Sequence, residues 1–350
     1  MRLASNAGVL YNDKIYFCAN NSNALFYYDL KSLKVFFVGL FEKESVKEIL
    51  YEEAILVNNE IWFVPNQAEN ICCYNLILDD FLYIDLSDHL YNYDQIFNYA
   101  TVYNDKIFFV PTGVSTEALV EINIKTKEKI VYPKVLERGI DNCIGGFLDN
   151  SVFYFIMSNG CIGYELELNT QNCIRSDTYI KDGYGYNNMT ESLTDAWISP
   201  FQCSTLLKID KKSGLVEQLE LGEGGFFNIT VENTKVFLLK GGSSGGVLTL
   251  DLSNNFKSFH KCSVFNTTNF YSLNEVFSEK GDLFFISSDG YIFKLDMEGD
   301  IIERYEIVIE RDELDKLYVR YDNKMFNEIN INILKEGTPF GDLKWFVSKI

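Results

Sequence analysis

The chain is poor in histidine, proline and tryptophan, with 2, 5 and 3 of them in 350 residues, and each scarcity removes a class of chemistry or structure. With only His89 and His260, a multi-histidine metal centre is excluded, and no Cys-x-x-Cys pair is present to hold zinc. Each histidine reads as an ordinary polar residue, His89 in a connection between repeats and His260 after the apolar run at Phe256 to Phe259. Few prolines and no low-complexity tract leave no place for long disordered linkers. Basic residues are in deficit as well: 31 Lys+Arg against 50 Asp+Glu give a net charge of -19, the wrong sign for neutralising phosphates. Nucleic acid and anionic membrane surfaces are therefore not expected as partners. No stretch approaches the roughly 18 apolar residues of a membrane span. Met1 to Gly8 lacks the apolar core of a signal peptide, so a cytoplasmic protein is expected. The eight cysteines show no framework spacing and sit in strand-like runs, as reduced buried thiols do; Cys72 and Cys73 read as neighbouring strand positions on opposite faces.

What the chain does have is 47% hydrophobic and 15% aromatic residues, enough for a large core, and a phrase repeated seven times. Its clearest copies are Val9-Leu10-Tyr11-Asn12-Asp13-Lys14-Ile15-Tyr16-Phe17 and Val102-Tyr103-Asn104-Asp105-Lys106-Ile107-Phe108-Phe109. Aligning the apolar residue after the polar pair gives Ile15, Ile61, Ile107, Val152, Ala196, Val236 and Leu283, spaced by 46, 46, 45, 44, 40 and 47. An acidic or amide residue follows 13 to 16 positions later: Asp29, Asn75, Asn123, Glu167, Asp210, Asp251 and Asp296. The second copy divides into four strand-length apolar stretches at 54–57, 61–64, 71–74 and 81–84, rich in β-branched and aromatic residues. Asn, Asp and Gly between the first two stretches tolerate the positive φ of a two-residue hairpin.

Seven units of four strands predict an all-β, seven-bladed β-propeller over residues 1–309, with six or eight blades as alternatives. Residues 310–350 read as a short C-terminal appendage packed on or closing the ring, in which apolar residues at 314, 317, 318 and 321 fit one helical face.

Two stretches carry a family resemblance. Ser288-Asp289-Gly290-Tyr291-Ile292-Phe293-Lys294-Leu295-Asp296, followed by Glu298-Gly299, resembles the repeat of quinoprotein-like propellers. Asn104-Asp105-Lys106-Ile107-Phe108-Phe109-Val110-Pro111 with Glu121-Ile122-Asn123 is similar to bacterial kelch-like propellers, although the kelch double glycine is mostly missing. The resemblance covers about residues 1 to 305 and implies fold far more than function, since propellers host binding, scaffolding and catalysis alike.

Sialidase-type aspartate boxes are not found, and Ser288-Asp289-Gly290 reads as a hairpin turn. Gly241-Gly242-Ser243-Ser244-Gly245-Gly246 has no following Lys-Ser/Thr and reads as a loop. Nine residues before each reference position stand Asn6, Glu52, Asn98, Cys143, Asn187, Phe227 and Asn274, with Glu53, Tyr99, Asn228 and Glu275 just after. In a propeller the first strand of each blade lines the channel, so this polar set would ring its mouth. Tyr184, Tyr186, Phe270 and Tyr271 in the long connections, with Arg138 as an anchor, have the composition of a recognition surface.

The first functional reading is a non-enzymatic binding or scaffold protein that presents this variable-loop face to a protein or peptide. The second is a glycan or small-molecule site at the channel mouth, hydrolytic or lyase-like, through Glu52, Glu53 or Glu275. No metal and no cofactor are expected.

Overall fold

A computed structural model describes residues 2–20, 22–89, 95–137, 142–160, 162–178, 185–232, 234–240, 245–253, 256–260, 274–277, 282–287 and 290–320. The side chains of 89, 177–178, 256–260, 274–277, 318 and 320 are not part of that description. Seven four-stranded antiparallel sheets follow one another along the chain, at 5–40, 51–85, 97–132, 143–178, 186–220, 226–260 and 274–306. Each is a meander of consecutive strands, and together they make the fold a seven-bladed β-propeller.

The repeated phrase is the first hairpin of each sheet. Tyr11 pairs with Lys14 across a two-residue loop in which Asn12 and Asp13 both have positive φ, 48° and 59°, as a type I′ turn requires. The acidic or amide residue farther on caps the turn between the third and fourth strands. Asp29 Oδ1 accepts from the backbone N–H of Lys31 and Ser32, Asn75 Oδ1 from Ile77 and Leu78, and Asn123 Oδ1 from Lys125 and Thr126. Its aliphatic neighbour ties this turn to the hairpin, through Leu30 N to Asp13 O, Leu76 N to Asn59 O and Ile124 N to Asp105 O. These bonds explain why the acid and its neighbour recur.

Among the described strands, burial is greatest in the second and third strands of a sheet and least in the fourth. Second strands such as Glu60–Pro65 and Lys106–Pro111 are buried along nearly their whole length, hence their unbroken apolar runs. Fourth strands such as Asp80–Asp85 and Val216–Glu220 are half exposed. In the fourth sheet Asp149 pairs with Val152, so Val152 matches Lys14 of the first hairpin and not Ile15. The residue that matches Ile15 is the fully buried Phe153, 46 residues after Ile107. The alignment on Val152 is corrected by one position.

The chain divides into two compact units, Met1–Asp88 with Tyr271–Met297 and Ile301–Ile350, and His89–Phe270 with Glu298–Asp300. The first holds sheets one, two and seven. Leu3 N donates to Ile307 O at 2.9 Å and Arg2 bridges Val308, which joins the chain start to the residues after the seventh sheet. Helix α1 (Arg311–Arg320) then lies on the fourth strand of sheet one, Lys34–Leu40, with buried Leu317 against it. Glu313 accepts from Phe37 N at 3.0 Å and Glu310 pairs with Lys34 at 3.1 Å, so the helix covers part of an otherwise open sheet edge. The second unit holds sheets three to six. Its largest core runs from Tyr99 to Ile209, where Phe108, Phe153 and Phe155 pack ring to ring.

Candidate functional site

The amide and carboxylate positions at the start of each first strand coincide with a repeated β-bulge. Pairing skips one residue between Ser5 and Ala7, Tyr51 and Glu53, Phe97 and Tyr99, Cys143 and Gly145, Tyr186 and Asn188, and Phe226 and Asn228. The extra residues are Asn6, Glu52, Asn98, Ile144, Asn187 and Phe227. A bulge frees one residue from the ladder and re-aims its side chain. The member from sheet four is Ile144, not Cys143, for the same one-residue reason as Val152. Cys143 is buried and its thiol donates to Gly145 O at 3.2 Å.

The freed side chains hold the protein itself. In the first unit, Asn6 Oδ1 accepts from Asn20 Nδ2 at 3.0 Å and Glu52 Oε2 from Asn66 Nδ2 at 2.8 Å, both within one sheet. In the second unit, Asn98 Nδ2 reaches Cys143 O at 3.3 Å and Asn187 Nδ2 reaches Phe227 O at 3.1 Å, each tying its sheet to the next. Asn228 is buried, and its Oδ1 accepts from Ile229 N at 2.7 Å. Tyr99 is buried as well. Its hydroxyl donates to Glu191 at 3.1 Å, and Glu191 pairs with Lys211 at 3.1 Å. The tyrosine reaches across sheet four because Gly145 is there: a Cβ at 145 would lie 2.3 Å from Met189 and 3.4 Å from Tyr99.

Of the aromatic residues expected on the loop face, Tyr186 is 4% exposed and packs over Gly160; burial, with Cys203 beside it, raises its hydroxyl above the ordinary range. It belongs to the core and not to an exposed loop. Arg138, Tyr184, Phe270 and Tyr271 lie outside the described residues, as do the side chains of Asn274, Glu275, His89 and His260 and the segment 241–244. Glu52 and Glu53 are therefore described without Glu275. Among the described residues, no group of three or more His, Cys, Asp or Glu is placed to hold a metal ion. No helix among them is long and apolar enough to cross a membrane.

Two features went unread in the sequence. One is Glu44, in the connection between sheets one and two. It is 3% exposed and accepts from Glu69 N at 2.8 Å, Asn70 N at 2.9 Å and Asn70 Nδ2 at 2.9 Å. Burial outweighs these bonds and pushes its carboxyl up to about 7. The other is the distribution of exposed apolar residues. Leu33, Ile77 and Leu78 stand on turns between third and fourth strands in the first unit; Leu215 and Leu252 do so in the second, where Leu193 is on a hairpin turn. At the opposite, loop end of the sheets, Val114 and Val308 are the exposed large apolar residues among those described. An open groove of about 330 Å³ also runs between the fourth strands of sheets one and two, walled by Val38, Leu40, Phe81 and Tyr83 and rimmed by Glu42, Asp79 and Asp80.

No protein-family model and no curated protein sequence matches the chain, so the kelch-like resemblance has no family behind it. Solved structures do match. The computationally designed Ika8 protein aligns with TM-score 0.59 at 8% identity, over 88% of this chain and 90% of that one. The extracellular domain of the hybrid two-component system BT3049 from B. thetaiotaomicron gives 0.59 at 14% identity over 85% of this chain. The chain spans 40% of that structure, and 38% of the corresponding domain of BT4673. BamB from Moraxella catarrhalis gives 0.50 at 13% identity, over 87% and 89% of the two chains. Likeness at these identities establishes the propeller fold alone.

Proposed function

We propose that the chain is a non-enzymatic binding module that recognises a protein or peptide partner, a role with which the propeller fold is compatible. One observation carries the reading: in the first unit exposed apolar side chains stand at the turn ends of sheets one and two, Leu33 in the one and the adjacent Ile77 and Leu78 in the other, 69% and 73% exposed. Turn tips ordinarily favour polar residues, and exposed apolar side chains grouped at one end of the sheets mark contact surface. At the loop end, the bulge residues Asn6, Glu52, Asn98 and Asn187 are engaged by the protein's own groups. This reading places the docking surface at the turn end.

The test is affinity capture from the native host with the wild type, the pair Ile77→Ser and Leu78→Ser, and a loop-end variant Tyr184→Ala. Because the turn residues are solvated, their replacement should change stability by less than about 0.5 kcal/mol. Loss of a saturable partner in the turn variant alone supports the reading. Loss in Tyr184→Ala alone returns the site to the loop face, and binding of sugars by a protein that captures no partner replaces the reading with the glycan one.

A further inference from the structure

We propose that Glu44 is a protonation-controlled latch: with a neutral carboxyl it closes the connection 42–50 onto the second sheet, and on ionisation it releases that connection. The geometry is that of a deliberate closure. Asn23 Nδ2 donates to Phe41 O at 3.1 Å and to Glu44 O at 2.8 Å, which holds the connection against sheet one. The Glu44 side chain then crosses to sheet two and takes the N–H groups of Glu69 and Asn70 as its third strand, Asn70–Asn75, begins. One residue thus joins the two sheets through its backbone on one side and its carboxyl on the other.

The surroundings decide which protonation state the closed form prefers. Among the described residues Glu44 has no ion-pair partner; Lys43, next in the chain, stands over the ring of Tyr83 instead. Glu69 opposes its ionisation, and the groups nearest in charge are Cys18 and Cys72 from sheets one and two, Tyr51 and Tyr83. Burial raises all four of these groups, so they stay neutral at neutral pH and none supplies a positive charge. Asn23 Oδ1 is buried nearby without a hydrogen-bond partner, so the pocket is already short of compensation. A buried carboxylate in such a place costs more than its three N–H donors return.

The sign follows from linkage. The closed form holds its proton more tightly than an exposed glutamate, so the closed form is favoured most below the ordinary glutamate range. That advantage is lost as pH rises through about 7. Between pH 5 and pH 8 the ratio of closed to open connection should fall by about two powers of ten. Glu42 N donates to Tyr83 Oη at 3.0 Å, so release also reshapes the adjoining groove.

The experiment follows the full chain from pH 5 to pH 8 by hydrogen exchange in peptides covering 41–50 and 66–72, corrected for intrinsic chemistry, and by thermal melting. The wild type should lose protection in both peptides with a midpoint near neutrality, and Glu44→Gln should show no such step. A second variant, Asn70→Ala, keeps the backbone bonds, removes one donor to the carboxylate and should move the midpoint upward. A wild type without a step, or a step retained in Glu44→Gln, overturns the latch. So does a midpoint unmoved or lowered in Asn70→Ala, and that readout stands if Glu44→Gln does not fold.

Discussion

The two units use the same bulge in opposite ways. In the first, Asn6 and Glu52 turn back to Asn20 and Asn66 of their own sheets. In the second, Asn98 and Asn187 cross to backbone carbonyls of the next sheet. The first unit joins sheets one and two by other groups, Tyr11 Oη donating to Asn59 Oδ1 at 3.0 Å and Glu44 reaching Asn70. The repeat thus dictates where a side chain is freed from the ladder, and the particular residue dictates what it holds. A crossing amide couples neighbouring sheets, whereas an internal one stiffens a single sheet.

The sharpest way to break this contrast lies two residues past the bulge, where Gly8 and Gly146 occupy matching positions. A Cβ at 146 would stand 2.4 Å from the Phe153 ring and 2.6 Å from the Tyr154 carbonyl, which cannot rotate away. At 8 it meets the Ile286 Cδ1 end at 2.3 Å, which can. Gly146→Ala should cost about 2–3 kcal/mol in chemical denaturation and Gly8→Ala about 1. Equal costs would mean that the two first strands are packed alike. Next in size, Asn187→Ala should cost about 1 kcal/mol and speed hydrogen exchange in the neighbouring strand Phe226–Glu232. Asn6→Ala should leave exchange in the first strand of sheet two unchanged; a spread of the effect there would erase the distinction. The smallest effect concerns the turn caps. Backbone N–H donors from Ser32, then Lys31, hold the Asp29 carboxyl below its ordinary range. Its contribution is present at neutral pH and lost as pH falls through that depressed titration, an effect screened at the surface to under about 0.5 kcal/mol. The amide caps Asn75 and Asn123 should show no such loss when exchange at Leu78 and Thr126 is compared with that at Ser32 at acid pH.

The sheets were legible because their signals are local. A two-residue hairpin demands Asn, Asp or Gly, a capped turn demands an acid or amide, and both recur with the strands. The bulge was not legible, since it adds a residue without changing composition and, recurring at the same place, leaves the repeat spacing unchanged. The amides nine residues before the reference position stood out for their type, but Asn98 and Asn187 bond to backbone carbonyls 45 and 40 residues away, and a carbonyl leaves no mark on a sequence. Tyr186 read as a surface aromatic because Gly and Asn surround it, yet the strand starting there turns its ring into the core. Glu44 was hidden for the opposite reason: in Phe41-Glu42-Lys43-Glu44-Ser45 it looks like any solvated acid.

The unbroken meander of each sheet has a consequence for how the chain reaches its fold. Every ladder bond of sheet one is complete within residues 5–40, and the same holds for each later sheet in its own stretch. That keeps contact order low for an all-β protein, because few strands wait for a distant partner. During synthesis each sheet emerges with all its strands in hand and can pair at once. Arg2 and Leu3 are the exception. They stay unmatched until Ile307 and Val308 are made, so the beginning of the chain is among the last parts to find its place.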